Sequence, residues 1–209
     1  MCFEFLDGAG DLFEEEHDAW PPLGSDGVVD GYDGSGLHGF DGVPSGPSRD
    51  RLVKALLEEA QRRPPNIPPL PEAFRHYRRE LGAQVYGAMG ITREDKAGHD
   101  AAVLRNWEFF RAPLAGIVCM HRDLGLVDAL GVGMYLQTLL LALTARGLGT
   151  CVEVSIAGYP EIVRVHLAIP AELSILCGLA VGYPDPDFPA NKLHVGREAI
   201  EKNVVFVDN

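Results

Sequence analysis

The residues most able to carry catalysis or bind a metal are seven histidines and four cysteines, and they are scattered along the chain. Cys2, Cys119, Cys151 and Cys177 form no CxxC pair, and three of them lie in apolar stretches, which favours reduced, buried thiols. The sequence also contains no GxSxG, GxxxxGK(S/T), HExxH or GxGxxG motif. The residues alone therefore predict neither an activated nucleophile, nor a zinc site, nor a loop that cradles phosphate.

The acidic charge of the protein is confined to its first 48 residues. The formal net charge is −12, and residues 1–48 hold eleven carboxylates without a single lysine or arginine. The rest of the chain is nearly balanced, with 18 basic and 19 acidic side chains. It shows no basic stripe with interleaved aromatics, so nucleic acid is not an expected partner. The N-terminus has no basic start followed by an apolar run, so we expect a cytoplasmic protein.

The composition of residues 1–48 is unlike that of the body. They hold ten of the 24 glycines, often beside aspartate, and offer few side chains to bury. Because glycine loses the most backbone entropy on ordering, we expect this segment to be disordered. A calcium- or partner-binding module is the alternative, although neither the EF-hand spacing nor the GGxGxDxUx nonapeptide is present.

The body of the chain, residues 49–209, predicts helices that alternate with buried strands. Apolar spacing indicates helices at about 48–63 (capped by Ser48), 72–88, 92–111 (begun by Thr92 and Asp95), 127–146 and 159–167. Strands are predicted at about 115–121, 150–155, 173–182 and, in a short VVFV run, 204–207. This order is typical of an α+β or α/β sandwich.

The most apolar stretch runs from Leu126 to Leu143. It includes Asp128, Gln137, Thr138 and two glycines, so the sequence predicts a buried helix and no membrane contact. Because a helix that is apolar all round needs neighbours on every side, this helix also predicts a homodimer.

Four segments of the second half form a linked pattern. They are NWEFFRAPLAGIVCMHRDL (106–124), LGVGMYLQTLLLALTARGLGTC (130–151), YPEIVRVHLAIP (159–170) and LCGLAVGYPDPDFPANKLHVGREAIEKNVVF (176–206). Their order and spacing resemble the nitroreductase family over about residues 49–209. The resemblance implies an α+β fold with a central, mostly antiparallel sheet flanked by helices and a long apolar helix in the core of a homodimer.

The resemblance also implies a function. Members of the family hold FMN without a covalent link, reduce it with NADH or NADPH, and pass the electrons to nitroaromatics, quinones or similar small molecules. The flavin carries the redox chemistry and the protein supplies a shaped site, so the absence of a catalytic triad agrees with such an enzyme. No catalytic side chain and no metal ligand are predicted.

The resemblance assigns six residues to flavin binding. Val154, Ser155 and Ile156 match the stretch that lines the flavin ring, largely through backbone groups. Arg197 matches a C-terminal arginine that contacts the FMN phosphate. The remaining two, Lys192 and His194, align with positions that are commonly basic.

The first 48 residues depart from the family pattern. The family carries an RRSxRxF helix start and an SxxNxQPW loop, and neither occurs here, because no arginine precedes Arg49. Losing two or three charge-assisted hydrogen bonds to phosphate costs about 3–9 kcal/mol. Two hypotheses follow. Residues 1–48 are an aberrant segment joined to a genuine nitroreductase-like body, or the chain is a divergent member that has lost flavin and acts as a non-catalytic interaction or regulatory protein.

Overall fold

The computed structural model describes residues 45–207. Five α-helices lie within them, namely α1 (Gly46–Arg62), α2 (Arg75–Ala88), α3 (Lys96–Leu104), α4 (Leu126–Thr144) and α5 (Pro160–Leu167). The same residues contain three β-strands, which are β1 (Leu114–His121), β2 (Gly149–Glu153) and β3 (Leu173–Gly182). The predicted α+β class is confirmed. The predicted disorder concerns residues 1–48, of which residues 1–44 lie outside the described part of the chain.

The strands form one antiparallel sheet in the order β1-β3-β2. On β3, Gly178 pairs with Ile117 of β1 on one side and with Glu153 of β2 on the other. The register shifts between Val118 and Cys119, where β1 carries an irregularity. Because both long strands are covered on their two faces, they read as nearly continuous apolar runs.

The two faces of the sheet are covered by different helices. The larger core includes Leu52 and Leu56 of α1, Val163 and Leu167 of α5, and aromatic residues that precede β1. A smaller cluster joins Val132 of α4 to the opposite face, and its members include Val118, Met120 and Cys177. The sheet is therefore the middle layer of a three-layer arrangement.

Helix α4 is the element that differs most from its prediction. Val132 is its buried residue, whereas Leu126, Val127, Leu130 and Met134 are between 66% and 91% exposed in the single chain. Within residues 45–207 it is the one helix with the length and composition to cross a membrane. Val127, Leu130, Met134 and Leu141 recur at spacings of three, four and seven residues, so they form an exposed apolar stripe along one side of the helix.

Three local predictions were wrong. Ser48 does not cap α1, which begins at Gly46 with Pro47 in its first turn, because the fixed φ of proline suits the start of a helix. The helix predicted for 92–111 is shorter: Asp95 caps α3 by accepting from the Gly98 amide, and a 3-10 segment, Arg105–Arg111, follows Leu104. Residues 204–207 form no strand in the single chain, where Val205, Phe206 and Val207 are strongly exposed.

The end of this 3-10 segment has an unusual backbone. Phe109, Phe110 and Arg111 have φ values of 50°, 48° and 62°, which lie in the left-handed region. Left-handed backbone costs a residue with a side chain about 1–2 kcal/mol. The segment retains this conformation because Phe109 and Phe110 are 0% and 3% exposed in the larger core.

Candidate functional site

The stretch predicted to line a flavin forms a 3-10 turn, Val154–Gly158, directly after β2. Val154 is 56% exposed, whereas Ile156 is fully buried. A Cβ placed on Gly178 would lie 2.6 Å from Ile156 Cγ1, so the glycine allows this close approach. The turn is therefore fixed to the sheet on one side and presents its first residue to solvent on the other.

Ser155 is held by an asparagine that precedes β1. Its hydroxyl donates to Asn106 Oδ1 at 3.2 Å, and Asn106 Nδ2 donates to the carbonyl oxygen of Val103 at 2.9 Å. This side-chain bond connects the Val154–Gly158 turn to the segment after α3. Ser155 thus positions the turn, and sequence reasoning did not anticipate Asn106.

The three predicted basic residues lie on an exposed C-terminal arm. Lys192 ends a 3-10 turn, and His194 Nδ1 lies 3.0 Å from the Lys192 carbonyl oxygen. Arg197 Nη1 donates to the carbonyl oxygens of Val195 and Gly196 at 3.0 and 3.3 Å. The hydrogen bonds found for these side chains stay within the arm, and none joins them to the Val154–Gly158 turn in the described part of the chain.

A groove of about 270 Å³ is lined by residues of α3, by Arg105 and by Phe188, and none of the six predicted residues lines it. One wall is Arg105, whose chain neighbour Asn106 binds Ser155, and another is Phe188, which precedes the turn that ends at Lys192. The Arg105 guanidinium lies 5.1 Å from the centre of the Phe188 ring, a cation–π contact. The hydrogen bonds found among the described residues join the Val154–Gly158 turn to Asn106, and they do not join it to Lys192, His194 or Arg197.

A buried carboxylate lies immediately before the turn. Glu153 is 2% exposed, and neither of its carboxylate oxygens has a hydrogen-bond partner. Two further buried polar atoms in the described residues lack a partner, Arg49 Nε and Trp107 Nε1. Two of these four atoms are donors and two are acceptors. They belong to α1, to the 3-10 segment Arg105–Arg111 and to β2, and the 3-10 segment contacts both α1 and β2.

Burial raises the pKa of Glu153 well above its ordinary value of 4.5, and the positive charge of Arg49 opposes the shift. The pKa of Cys177 rises to about 11, first because the thiol is buried and second because of the charge of Glu153. Cys119, Cys151 and Cys177 are buried thiols, which confirms the prediction for these three; Cys2 lies outside the described residues. A protonated, buried thiol is a poor nucleophile.

The raised pKa of Glu153 makes the stability of the protein depend on pH. The folded state keeps this proton above pH 4.5, where the unfolded chain releases it, so the free energy of unfolding falls as pH rises from 4.5 through the folded pKa. Urea titrations across this range should show a smaller fall for Glu153→Gln than for the wild type. Glu161→Gln, a change at an exposed carboxylate, is the control, and equal slopes for all three proteins would contradict the assignment.

Arg49 and Glu153 were not singled out from the sequence. The available signal for Glu153 is its register: it falls two residues after Cys151 in a predicted strand, so both side chains point to the same covered face. Arg49 carries no such signal, because the burial of its side chain and its hydrogen bond to the Glu108 carbonyl oxygen depend on where α1 packs. Among residues 45–207, no group of three histidine, cysteine or acidic side chains comes together to hold a metal ion.

The sequence of this chain is similar to those of known reductases. A sequence profile of the nitroreductase family matches residues 48–183. The chain is 34% identical over 137 residues to a 4-nitrobenzoate reductase of Nocardioides sp. strain LMS-CY, and the match covers 65% of this chain and 56% of that protein. It is 28% identical over 173 residues to a nitrobenzene nitroreductase of Ectopseudomonas oleovorans, covering 79% of this chain and 76% of the relative.

The fold of this chain is also similar to solved nitroreductase structures. The FMN- and NADPH-dependent nitroreductase NfnB of Sphigopyxis sp. strain HMH superposes with a TM-score of 0.75 at 27% identity, over 80% of this chain and 78% of that one. NfnB of Mycobacterium smegmatis, solved in complex with NADPH, superposes with a TM-score of 0.72 at 26% identity, over 79% of this chain and 77% of that one. The chain belongs to the nitroreductase family.

Proposed function

We propose that the protein is an FMN-dependent oxidoreductase that uses NADH or NADPH to reduce a nitroaromatic, a quinone or a similar small molecule. The observation that carries the proposal is the likeness to two FMN-dependent nitroreductases over about four fifths of the chain. The residues that match the family profile, 48–183, include the sheet and the Val154–Gly158 turn. The chain spans little more than half the length of the 4-nitrobenzoate reductase of Nocardioides sp., so its activity and acceptor are part of the proposal.

The described residues suit FMN chemically. Lys192, His194 and Arg197 are exposed within six residues, and Arg197 uses only one guanidinium nitrogen for its backbone bonds. A guanidinium has five donors in a fork that matches phosphate oxygens. These residues would hold the phosphate, while residues 154–156 would line the ring. Bound FMN would accept electrons from the nicotinamide and deliver them to the acceptor.

The non-catalytic alternative has no support among these relatives, which are named as reductases.

We further propose a homodimer formed through the apolar stripe of α4, because single chains rarely leave so large an apolar surface uncovered. A cytoplasmic location, where reduced nicotinamide cofactors are available, fits the same proposal.

Flavin titration of the full chain tests the proposal directly. FMN fluorescence should be quenched on binding, and the loaded protein should oxidise NADPH or NADH when 4-nitrobenzoate or a quinone is added. Running both nicotinamides and both acceptors in parallel separates the donor from the acceptor preference. A wild-type chain that binds no FMN would contradict the proposed function.

Arg197→Ala should weaken FMN binding about tenfold or more, since a charge-assisted hydrogen bond to phosphate contributes about 1.5–3 kcal/mol. Arg146→Ala is the matched control, because Arg146 is also exposed and also donates to a backbone carbonyl, that of Ala142 at 3.1 Å. The measurement is the FMN dissociation constant at fixed salt. Equal constants for both variants would show that Arg197 is an ordinary surface charge.

A further inference from the structure

We infer that Gly158 and Tyr159 are positioning residues, which hold the C-terminal end of the Val154–Gly158 turn against the proline-rich segment at residues 64–71. The inference rests on the proposed function, because residues 154–156 of this turn are the ones proposed to line FMN. It concerns two residues and a segment that neither the family resemblance nor the comparisons assign to flavin binding.

The first observation is a pair of hydrogen bonds that join the end of the turn to the residues after α1. The Asn66 amide donates to the carbonyl oxygen of Gly158 at 2.9 Å. The Tyr159 hydroxyl donates to the carbonyl oxygen of Arg63 at 2.7 Å. Because each of the two stretches of chain supplies one donor and one acceptor, the bonds fix both their separation and their relative orientation.

The second observation is the close packing at Gly158. A Cβ on this glycine would overlap Pro65 Cβ and would lie 3.1 Å from Ile67 Cγ1. Pro65 and Ile67 are half-buried, whereas the residues on either side of each are exposed. The proline-rich segment therefore presents alternate side chains to the turn. The absence of a side chain on Gly158 lets the two backbones come close enough for the Asn66 amide to donate.

The third observation is the stiffness of the proline-rich segment. Five of its eight residues are prolines (PPNIPPLP), so most of its φ angles are fixed and three residues carry an amide proton. One of these three amides, that of Asn66, is bonded to the turn. The segment also starts from a held residue, because Arg63 is the C-cap of α1 and its guanidinium lies 5.1 Å from the centre of the Tyr159 ring. A segment with so few free dihedral angles is a rigid anchor for the end of the turn.

The fourth observation is the connection from this anchor to the residues proposed to line the flavin ring. Ser155 is bonded to Asn106, and Ile156 packs closely on Gly178, so these contacts restrain the first half of the turn. The Tyr159 amide donates to the carbonyl oxygen of Ile156 at 3.3 Å. A displacement of Tyr159 is therefore passed directly to the backbone of Ile156.

The test compares two variants that loosen the same anchor in different ways. Tyr159→Phe removes the hydroxyl donor and keeps the ring, and Gly158→Ala adds a methyl group that displaces the proline-rich segment. The measurements are the FMN dissociation constant, the melting temperature of the flavin-free protein and hydrogen exchange in that same protein. We expect FMN to bind about fivefold more weakly to Tyr159→Phe and about tenfold more weakly to Gly158→Ala. In both variants the amides of residues 154–158 should exchange at least about threefold faster than in the wild type.

Ile169→Val and Gly87→Ala are the controls. Ile169 is buried in the larger core beyond the far end of α5, so losing one methylene there should lower the melting temperature about as much as losing one hydrogen bond. An added Cβ on Gly87 has no heavy atom within 4 Å. Both controls should bind FMN like the wild type and should leave the exchange of residues 154–158 unchanged.

Wild-type FMN affinity in both Tyr159→Phe and Gly158→Ala would overturn the inference, even if their melting temperatures fell, because the contacts would then be merely structural. Unchanged exchange of residues 154–158 in both variants would overturn it as well. So would an equal loss of FMN affinity in Ile169→Val, since lower stability alone would then explain the effect. A wild-type chain that binds no FMN would overturn the proposed function, whereas exchange in the flavin-free protein would still decide whether Gly158 and Tyr159 hold the turn.

Discussion

Gly178→Val is expected to lower the free energy of unfolding by about 3 kcal/mol or more. A Cβ at this position would lie 2.6 Å from Ile156 Cγ1 and 3.0 Å from Phe109 Cε1. Neither neighbour can move aside easily, since both side chains are fully buried. Gly178 also lies on the central strand, so a shift there disturbs its pairing with β1 and β2. Thermal unfolding should show a melting temperature lower by roughly 6–12 °C.

Gly87→Ala is the control for this substitution. Gly87 lies in α2, and no heavy atom lies within 4 Å of the Cβ that alanine would add. Alanine is favoured over glycine in a helix by about 1 kcal/mol, so this variant should be as stable as the wild type or more stable. If Gly178→Val melted at the wild-type temperature, the close packing of Ile156 on β3 would be refuted.

Met134→Glu is expected to convert the proposed homodimer into a monomer. Met134 lies in the middle of the exposed apolar stripe of α4 and is 66% exposed in the single chain. If a second copy covers the stripe, a glutamate at this position becomes an unpaired charge in an apolar contact, which costs about 3–5 kcal/mol. The dissociation constant of the dimer should therefore rise by at least about a hundredfold, as measured by analytical ultracentrifugation.

The control makes the same kind of change elsewhere on the surface. Val165 of α5 is 80% exposed and lies outside the stripe, so Val165→Glu should leave the association state unchanged. A Met134→Glu protein that sediments like the wild type would place the contact between copies on another face. A monomeric wild type would refute the dimer itself.

The elements of the fold were predictable because their signals are local. The third helix was predicted to begin at Thr92 with Asp95, and of these two residues Asp95 is its N-cap and accepts from the Gly98 amide. The long helix was predicted to end at about residue 146; it ends at Thr144, and Gly147 follows with a φ of +77°. The apolar runs of β1 and β3 were equally clear, since a strand covered on both faces carries little else.

The site was predictable only in part. Residues 154–156 were located through the family resemblance, and the structure places them in one turn after β2. Their support Asn106 lies 49 positions earlier in the chain than Ser155, so no local pattern joins this pair. The cover of α4 was likewise predictable only in part, because hydropathy indicates that a helix must be covered but not which of its residues its own chain covers.

The left-handed residues Phe109, Phe110 and Arg111 have a consequence for the order of folding. An isolated peptide of this sequence would seldom visit such a backbone, since each residue prefers another conformation by about 1–2 kcal/mol. The segment gains its native shape only when the two phenylalanine rings enter the core. Its native contacts should thus form after the main folding barrier, and substitutions at Arg111 should change the unfolding rate more than the folding rate.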